Sequence, residues 1–279
     1  MSVVDSLKHP AVKAARLLNQ PSGRATSRQY LIEGADMVHL ALKSQARMVC
    51  VFLADNFEDE FSLIARLRES DVPTYRVGRG LLFKIIGTSY ETALNAVAVV
   101  EQNLIDERQL PPDDLIVVGE SLQDPRNLGM FIRTADAAGA KALVLSHDAA
   151  DPYSRAAVRS TTGSILWLPI HRTDSVVNVL TRLRQRGVKI ISTSAHAPTM
   201  FWDADLGGAC ALVFGNETRG VSPEVQALSD LNVTIPLLGG AHSLNVAVAA
   251  GIVLYERVRQ KRANERDYQR TAVGFSLTA

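Results

Sequence analysis

Cysteine is nearly absent from this chain, with two in 279 residues, Cys50 and Cys210. Each lies inside an apolar run, MVCVF and ACALVF, where a buried free thiol is the usual occupant, so no disulfide framework is expected. The six histidines are scattered singly; no Cys/His group has zinc-ligand spacing, and no metal is expected. Aromatics make up 6% of the chain and the net charge is +1, so no global positive field advertises a nucleic-acid partner; any such partner must be met by local clusters. Long apolar runs are missing too. The opening MSVVDSLKHPAVKAARLLNQ lacks the continuous apolar core of a signal peptide, and no later stretch could span a bilayer. The expectation is a cytoplasmic protein without membrane contact. Neither G-x-G-x-x-G nor a Walker A sequence occurs, which removes support for a Rossmann dinucleotide site or a P-loop NTPase.

What is present is an ordinary globular composition, 47% hydrophobic and 21% charged, long enough for two domains. Positions 5 to 20 read as a net basic surface helix. QYLIEG, ADMVHLALKSQ, RMVCVFLAD, FSLIARLRES, PTYRV, GLLFKIIG and ALNAVAVVE then alternate as in a small α/β unit. Basic residues are concentrated at the front: residues 1–50 hold 7 Lys and Arg against 3 Asp and Glu, whereas residues 51–100 hold 5 against 7. The charged, double-proline stretch NLIDERQLPPDD cannot continue a helix or an inner strand. Residues 1–102 are therefore read as a first domain, 103–114 as a linker and 115–279 as a second domain.

That second domain repeats the alternation. LIVVGE, ALVLS, ILWLPI, VKIISTS, ALVFGN and VTIPLL read as six buried strands. Helical patterns lie at 128–138, 154–162, 174–186, 221–229 and about 245–263, so the fold class is α/β with a mostly parallel sheet. Ligands of such sheets sit beyond the carboxyl ends of strands, which directs attention to the loops after LIVVGE, ALVFGN and VTIPLL. In the first, Asn127 and Gly139 can be explained as helix punctuation, but Arg133 lies on a helix that must bury one face and either snorkels or points at an anion. In the second, Gly215 and Gly220 bracket Glu217 and would let a ligand approach the backbone closely. In the third, Ser243 or Asn245 can cap a helix with no charge from Val246 to Tyr255, so apolar all round that it must be covered by a core or a second subunit. Arg155 and Arg159 stand beside Ser160, Thr161, Thr162 and Gly163, a grouping that suits phosphate oxygens and equally an ordinary helix end.

NLG (127–129) with RTA (133–135), GNETRG (215–220), and IP (235–236) with SLN (243–245) fall in one order, each at the end of an expected strand. In this the chain resembles the SpoU/TrmH family of RNA ribose 2′-O-methyltransferases of the SPOUT superfamily over residues 114–262. RQYLIEGADMVHLAL is similar to the start of the ribosomal-protein-like RNA-binding domain that precedes the catalytic domain in many members. The resemblance implies a deep trefoil knot and bent S-adenosylmethionine held by knot loops at Gly215, Ile235 and Leu244. It implies a polar catalytic set of Arg133, Asn127, Glu217, Ser243 and Asn245, and a homodimer packed through the knot and the terminal helix. Arg28, Arg155 and Arg159 are the expected RNA contacts. The implied reaction is methylation of structured RNA, with 23S-type ribosomal RNA ahead of tRNA. A non-catalytic RNA-binding knot protein would be expected to lack Arg133 or Asn127, and both are present.

Overall fold

A computed structural model describes residues 1–59, 62–88 and 94–264; the last fifteen residues of the expected second domain, 265–279, lie outside them. The amino-terminal part runs β1 (Ser2–Val4), α1 (Pro10–Leu17), α2 (Pro21–Ser27), β2 (Gln29–Glu33), α3 (Ala35–Lys43), β3 (Met48–Ala54), α4 (Leu63–Glu69), β4 (Thr74–Val77), α5 (Arg79–Ile86) and β5 (Ala96–Glu101). Its five strands form a mixed sheet in the order β1-β4-β3-β5-β2. The basic opening segment is divided into two short helices because Pro10 and Pro21 each begin one, a proline having no donor to miss in a first turn.

The second part runs β6 (Leu115–Gly119), α6 (Pro125–Ala137), β7 (Ala142–Ser146), α7 (Arg155–Thr161), β8 (Ile170–Thr173), α8 (Val176–Gln185), β9 (Lys189–Thr193), β10 (Thr199–Met200), β11 (Cys210–Phe214), α9 (Pro223–Leu228), β12 (Leu231–Thr234) and α10 (Val246–Asn264). All seven strands are parallel, in the order β10-β12-β9-β11-β6-β7-β8. Both faces are covered. Leu115 and Val117 of β6 enter one buried cluster and Ile116 and Val118 the other, which is why these strands read as unbroken apolar runs.

One expectation needs correction. ILWLPI is not a strand: Ser164–Leu166 forms a 3-10 turn, and β8 begins only at Ile170, after Pro169. The 103–114 stretch is itself held by hydrogen bonds. Ile105 N–H donates to the Ile170 carbonyl, Ile170 N–H donates to Asn103, and a 3-10 turn at Glu107–Gln109 is held by a capping box between Asp106 and Gln109. The stretch thus packs along the edge strand β8.

Strand order locates the site. The chain moves outward from β6 through β7 to β8, then crosses back to lay β9, β11 and β12 on the other side of β6. The order reverses at the β6/β11 pair, and the crevice at the carboxyl ends beside such a reversal is where open α/β sheets bind ligands. No helix among the described residues is long and apolar enough to cross a membrane.

Candidate active site

Beyond the carboxyl ends of β9, β11 and β12 lies a cavity of about 420 Å³, bounded by the 215–220 turn, the 235–244 segment and residues 193–196. Five sequence-selected residues with an expected cofactor or catalytic role, Gly215, Glu217, Ile235, Ser243 and Leu244, line it. The 215–220 turn closes on itself: Asn216 and Gly220 exchange backbone hydrogen bonds of 3.0 and 2.9 Å. A Cβ at position 215 would lie 2.1 Å from the backbone of Gly220 and Val221, and Gly220 has φ +72°. Gly215 is therefore required first by the turn's own return, whatever approaches from the cavity side.

Glu217 ties this turn to the first loop. Its Oε2 accepts from Gln123 N–H at 3.2 Å, and its Oε1 accepts from Asp124 N–H at 3.3 Å and Asn127 Nδ2 at 3.4 Å. Burial raises its pKa. Its own backbone N–H, those of Gln123 and Asp124, and the Asn127 amide more than offset that, holding the carboxyl below its ordinary range. Asn127 does not cap α6, as its position allowed; Asp124 does, its Oδ1 accepting from Arg126 and Asn127 N–H at 2.6 and 3.3 Å. Asn127 is thereby free to accept from Asn245 Nδ2 at 2.8 Å, while Asn245 Oδ1 caps α10 through Ala247 N–H at 2.9 Å. Asn245, Asn127 and Glu217 form one relay across three loops that are far apart in sequence. Asn216 reinforces it by donating to the carbonyl of Ser121 at 2.8 Å.

Arg133 is exposed, two turns beyond Asn127 on α6, and its Nη1 donates to Thr162 Oγ1 at 3.3 Å. Gly129 permits this proximity. A Cβ there would come within 2.4 Å of the Ala157 carbonyl oxygen and 2.5 Å of Ser160 Cβ, so the glycine lets α7 lie directly on α6. The expected RNA contacts are not gathered at the cavity. Arg155 is clasped by Glu33 of the amino-terminal sheet, with Nε to Oε1 at 2.5 Å and Nη2 to Oε2 at 2.9 Å. Arg159 reaches the same carboxylate at 3.6 Å and stays mostly exposed. Arg28 is exposed at the end of α2 with φ +53°. Sequence reasoning missed Thr193, Ser194 and His196 after β9, and His242 beside Ser243, all of which line the cavity. No motif marks the β9 loop. Only the strand order, which places β9 between β11 and β12, brings it there.

The chain is similar to known proteins over both of its parts. The SpoU rRNA methylase family model matches residues 114–255, spanning all three loops and the whole relay. The chain belongs to this family. Among its SpoU relatives is the 23S rRNA (uridine(2479)-2′-O)-methyltransferase of Streptomyces viridochromogenes, 34% identical over 88% of both chains. The 23S rRNA (guanosine(2553)-2′-O)-methyltransferase of Bacillus subtilis is 32% identical over 91% of this chain and 98% of that one. The AdoMet-bound rRNA methyltransferase of Sinorhizobium meliloti has the same SpoU architecture, with a TM-score of 0.82 at 29% identity over 92% of this chain and 97% of that one. These similarities extend through the amino-terminal sheet as well as the SpoU domain.

Proposed function

We propose that this SpoU methylase transfers a methyl group from S-adenosylmethionine to a ribose 2′-hydroxyl of structured RNA, with 23S-type ribosomal RNA as substrate. The observation that carries the reading is the Asn245, Asn127 and Glu217 relay, which ties the loop after β6 to the two loops that line the cavity and leaves Arg133 exposed on the helix that bears Asn127. Relatives that act on 23S rRNA match this chain over both of its parts, which favours rRNA over tRNA.

The cavity suits the cofactor in size and lining. Small-molecule sites commonly enclose roughly 300–1,000 Å³. Ile235, Leu237 and Leu244 offer apolar surface for a purine, and the 215–220 turn with Thr193 and Ser194 offers polar groups. Bound adenosylmethionine supplies an electrophilic methyl group. Gly215, Ile235 and Leu244 hold it, while Glu217, Asn127 and Asn245 fix the loops that orient it. Ser243 and Arg133 face the incoming ribose. The guanidinium donors of Arg133 hold the 2′-oxygen and stabilise the negative charge that develops there as the hydroxyl proton passes to solvent water. Arg159 and Arg28 offer exposed charge to the RNA backbone, where contacts position more than they specify. The active unit is a homodimer in which a second copy, packed through the knotted region, covers the exposed Val248 and Tyr255 of α10.

Labelled adenosylmethionine, the purified protein and 23S rRNA or tRNA test the proposal. Arg133→Ala should reduce methyl transfer to 23S rRNA by about 10²–10⁴-fold, the range usual for a charge-handling group, with cofactor affinity unchanged by calorimetry. Near-normal turnover by the variant removes Arg133 from the reaction; transfer to tRNA but not rRNA replaces the substrate.

A further inference from the structure

We infer that Thr162 is a positioning residue for Arg133, and that its strained backbone is kept for that purpose. Thr162 ends α7 with φ +49° and ψ +36°. A β-branched residue is an outlier in this left-handed region, where helix ends normally place glycine or asparagine. Gly87 at φ +67° ends α5 and Gly139 at φ +81° follows α6, while Arg28, Gln45 and Asp71, which take positive φ at or just after the ends of α2, α3 and α4, are all unbranched at Cβ. Of the six non-glycine residues with positive φ among the described residues, Thr162 alone is β-branched. Strain of this kind persists where the surrounding structure over-determines it, commonly at functional sites.

The hydroxyl supplies the reason. Thr161 is buried and returns its hydroxyl to the Val158 carbonyl at 2.7 Å, as a threonine in a helix does. Thr162, turned out of the helix by its backbone, instead presents Oγ1 to Arg133 Nη1 at 3.3 Å, a length usual before a substrate tightens a site. Its placement is fixed from two directions. Gly129 seats the middle of α7 on α6, and Glu33 clasps Arg155 at the other end of the same seven-residue helix. The helix is thus a strut between the amino-terminal sheet and the outward arginine. Glycine at 162 would relieve the backbone but leave one face of the guanidinium without its acceptor.

The inference rests on the methyltransferase reading above, and the test separates the two. Thr162→Ser keeps the hydroxyl; Thr162→Gly removes it and the strain together. We expect T162G to melt at or above the wild-type temperature, yet to lose roughly five- to tenfold in kcat with KM for rRNA and cofactor affinity unchanged, the size of one ordinary hydrogen bond. T162S should stay within about twofold of wild type in kcat, since it retains the acceptor. Order parameters for the Arg133 Nε–H group, measured by NMR without RNA, should fall in T162G and recover in T162S. Wild-type kcat in T162G, equal loss in T162S and T162G, or unchanged Arg133 order in T162G would each overturn the inference. Absence of methyl transfer by wild-type protein would count against the methyltransferase reading instead, and the NMR comparison would still decide the role of Thr162.

Discussion

At Glu217 a partly buried carboxylate is kept ionised by N–H groups from two different loops, and this makes the site's assembly sensitive to acid. Its folded pKa lies below the ordinary value of 4.5, so its contribution to stability is complete above that value and disappears as pH falls through the lower folded one. The expected outcome is a melting-temperature gap between wild type and Glu217→Gln that is full above the ordinary carboxylate range and narrows as the pH is lowered below it. A gap of constant size across that range would show that the charge of Glu217 is not what joins the loops. Every polar member of the relay could be picked out from the sequence, because Asn127, Glu217 and Asn245 sit in short motifs at strand ends. Their partners could not. Which nitrogen meets which oxygen depends on Asp124 taking the cap position and freeing Asn127, and Asp124 and Asn127 are equally good caps by residue type.

Elements buried on both sides were legible and edge elements were not. β6, β7, β9 and β11 each carry an apolar run that permits no other placement in a parallel sheet. β10 is two half-buried residues long, β1 is three residues with only Val4 buried, and β8 buries Ile170 alone, so none of them writes a pattern. ILWL misled because Ile165 and Leu166 are buried from a 3-10 turn and Leu168 from the stretch after it, not from a strand, while Trp167 is half exposed. The packing of α6 on α7 was equally hidden, since nothing in the sequence marks Gly129 within NLG as a helix contact until Ala157 is seen beside it. A methyl group there must push the Ala157 carbonyl away. Gly129→Ala should therefore cost about 1–3 kcal/mol in denaturant unfolding, as overpacking does, and should lower kcat through the displaced Arg133–Thr162 pair. An alanine variant of wild-type stability and rate would mean that the two helices can separate freely.

On the scale of the whole molecule, the length suggested two domains, 1–102 and 115–279, with β5 on one side of the stretch between them and β6 on the other. The two parts are nevertheless joined by a continuous core. Tyr30 and Tyr153, both buried, pack at a tilt of 46° with ring centroids 4.9 Å apart, Arg24 pairs with Asp151 at 2.7 Å, and Glu33 clasps Arg155. The amino-terminal sheet is thereby held at a fixed place relative to Arg133, as positioning a folded RNA requires. The apolar helix α10 carries the remaining argument. Its sequence has no charge before Glu256 and suggested that every face must be covered, with Ala249 or Val253 as the points to disrupt. The structure divides that face. Val253 and Leu254 are fully buried within the chain itself, whereas Val248 and Tyr255 are each 52% exposed and lie seven residues apart, two turns along one side. A charge at Val253 would break the fold of a single copy and say nothing about a second one. Charges at Val248 and Tyr255 meet only what docks from outside. The double variant Val248→Glu, Tyr255→Glu should keep its melting temperature at low concentration but shift sedimentation from dimer to monomer, with methyl transfer falling in parallel. A variant that stays dimeric, or a wild-type protein that is monomeric and fully active at micromolar concentration, would rule out α10 as the subunit contact.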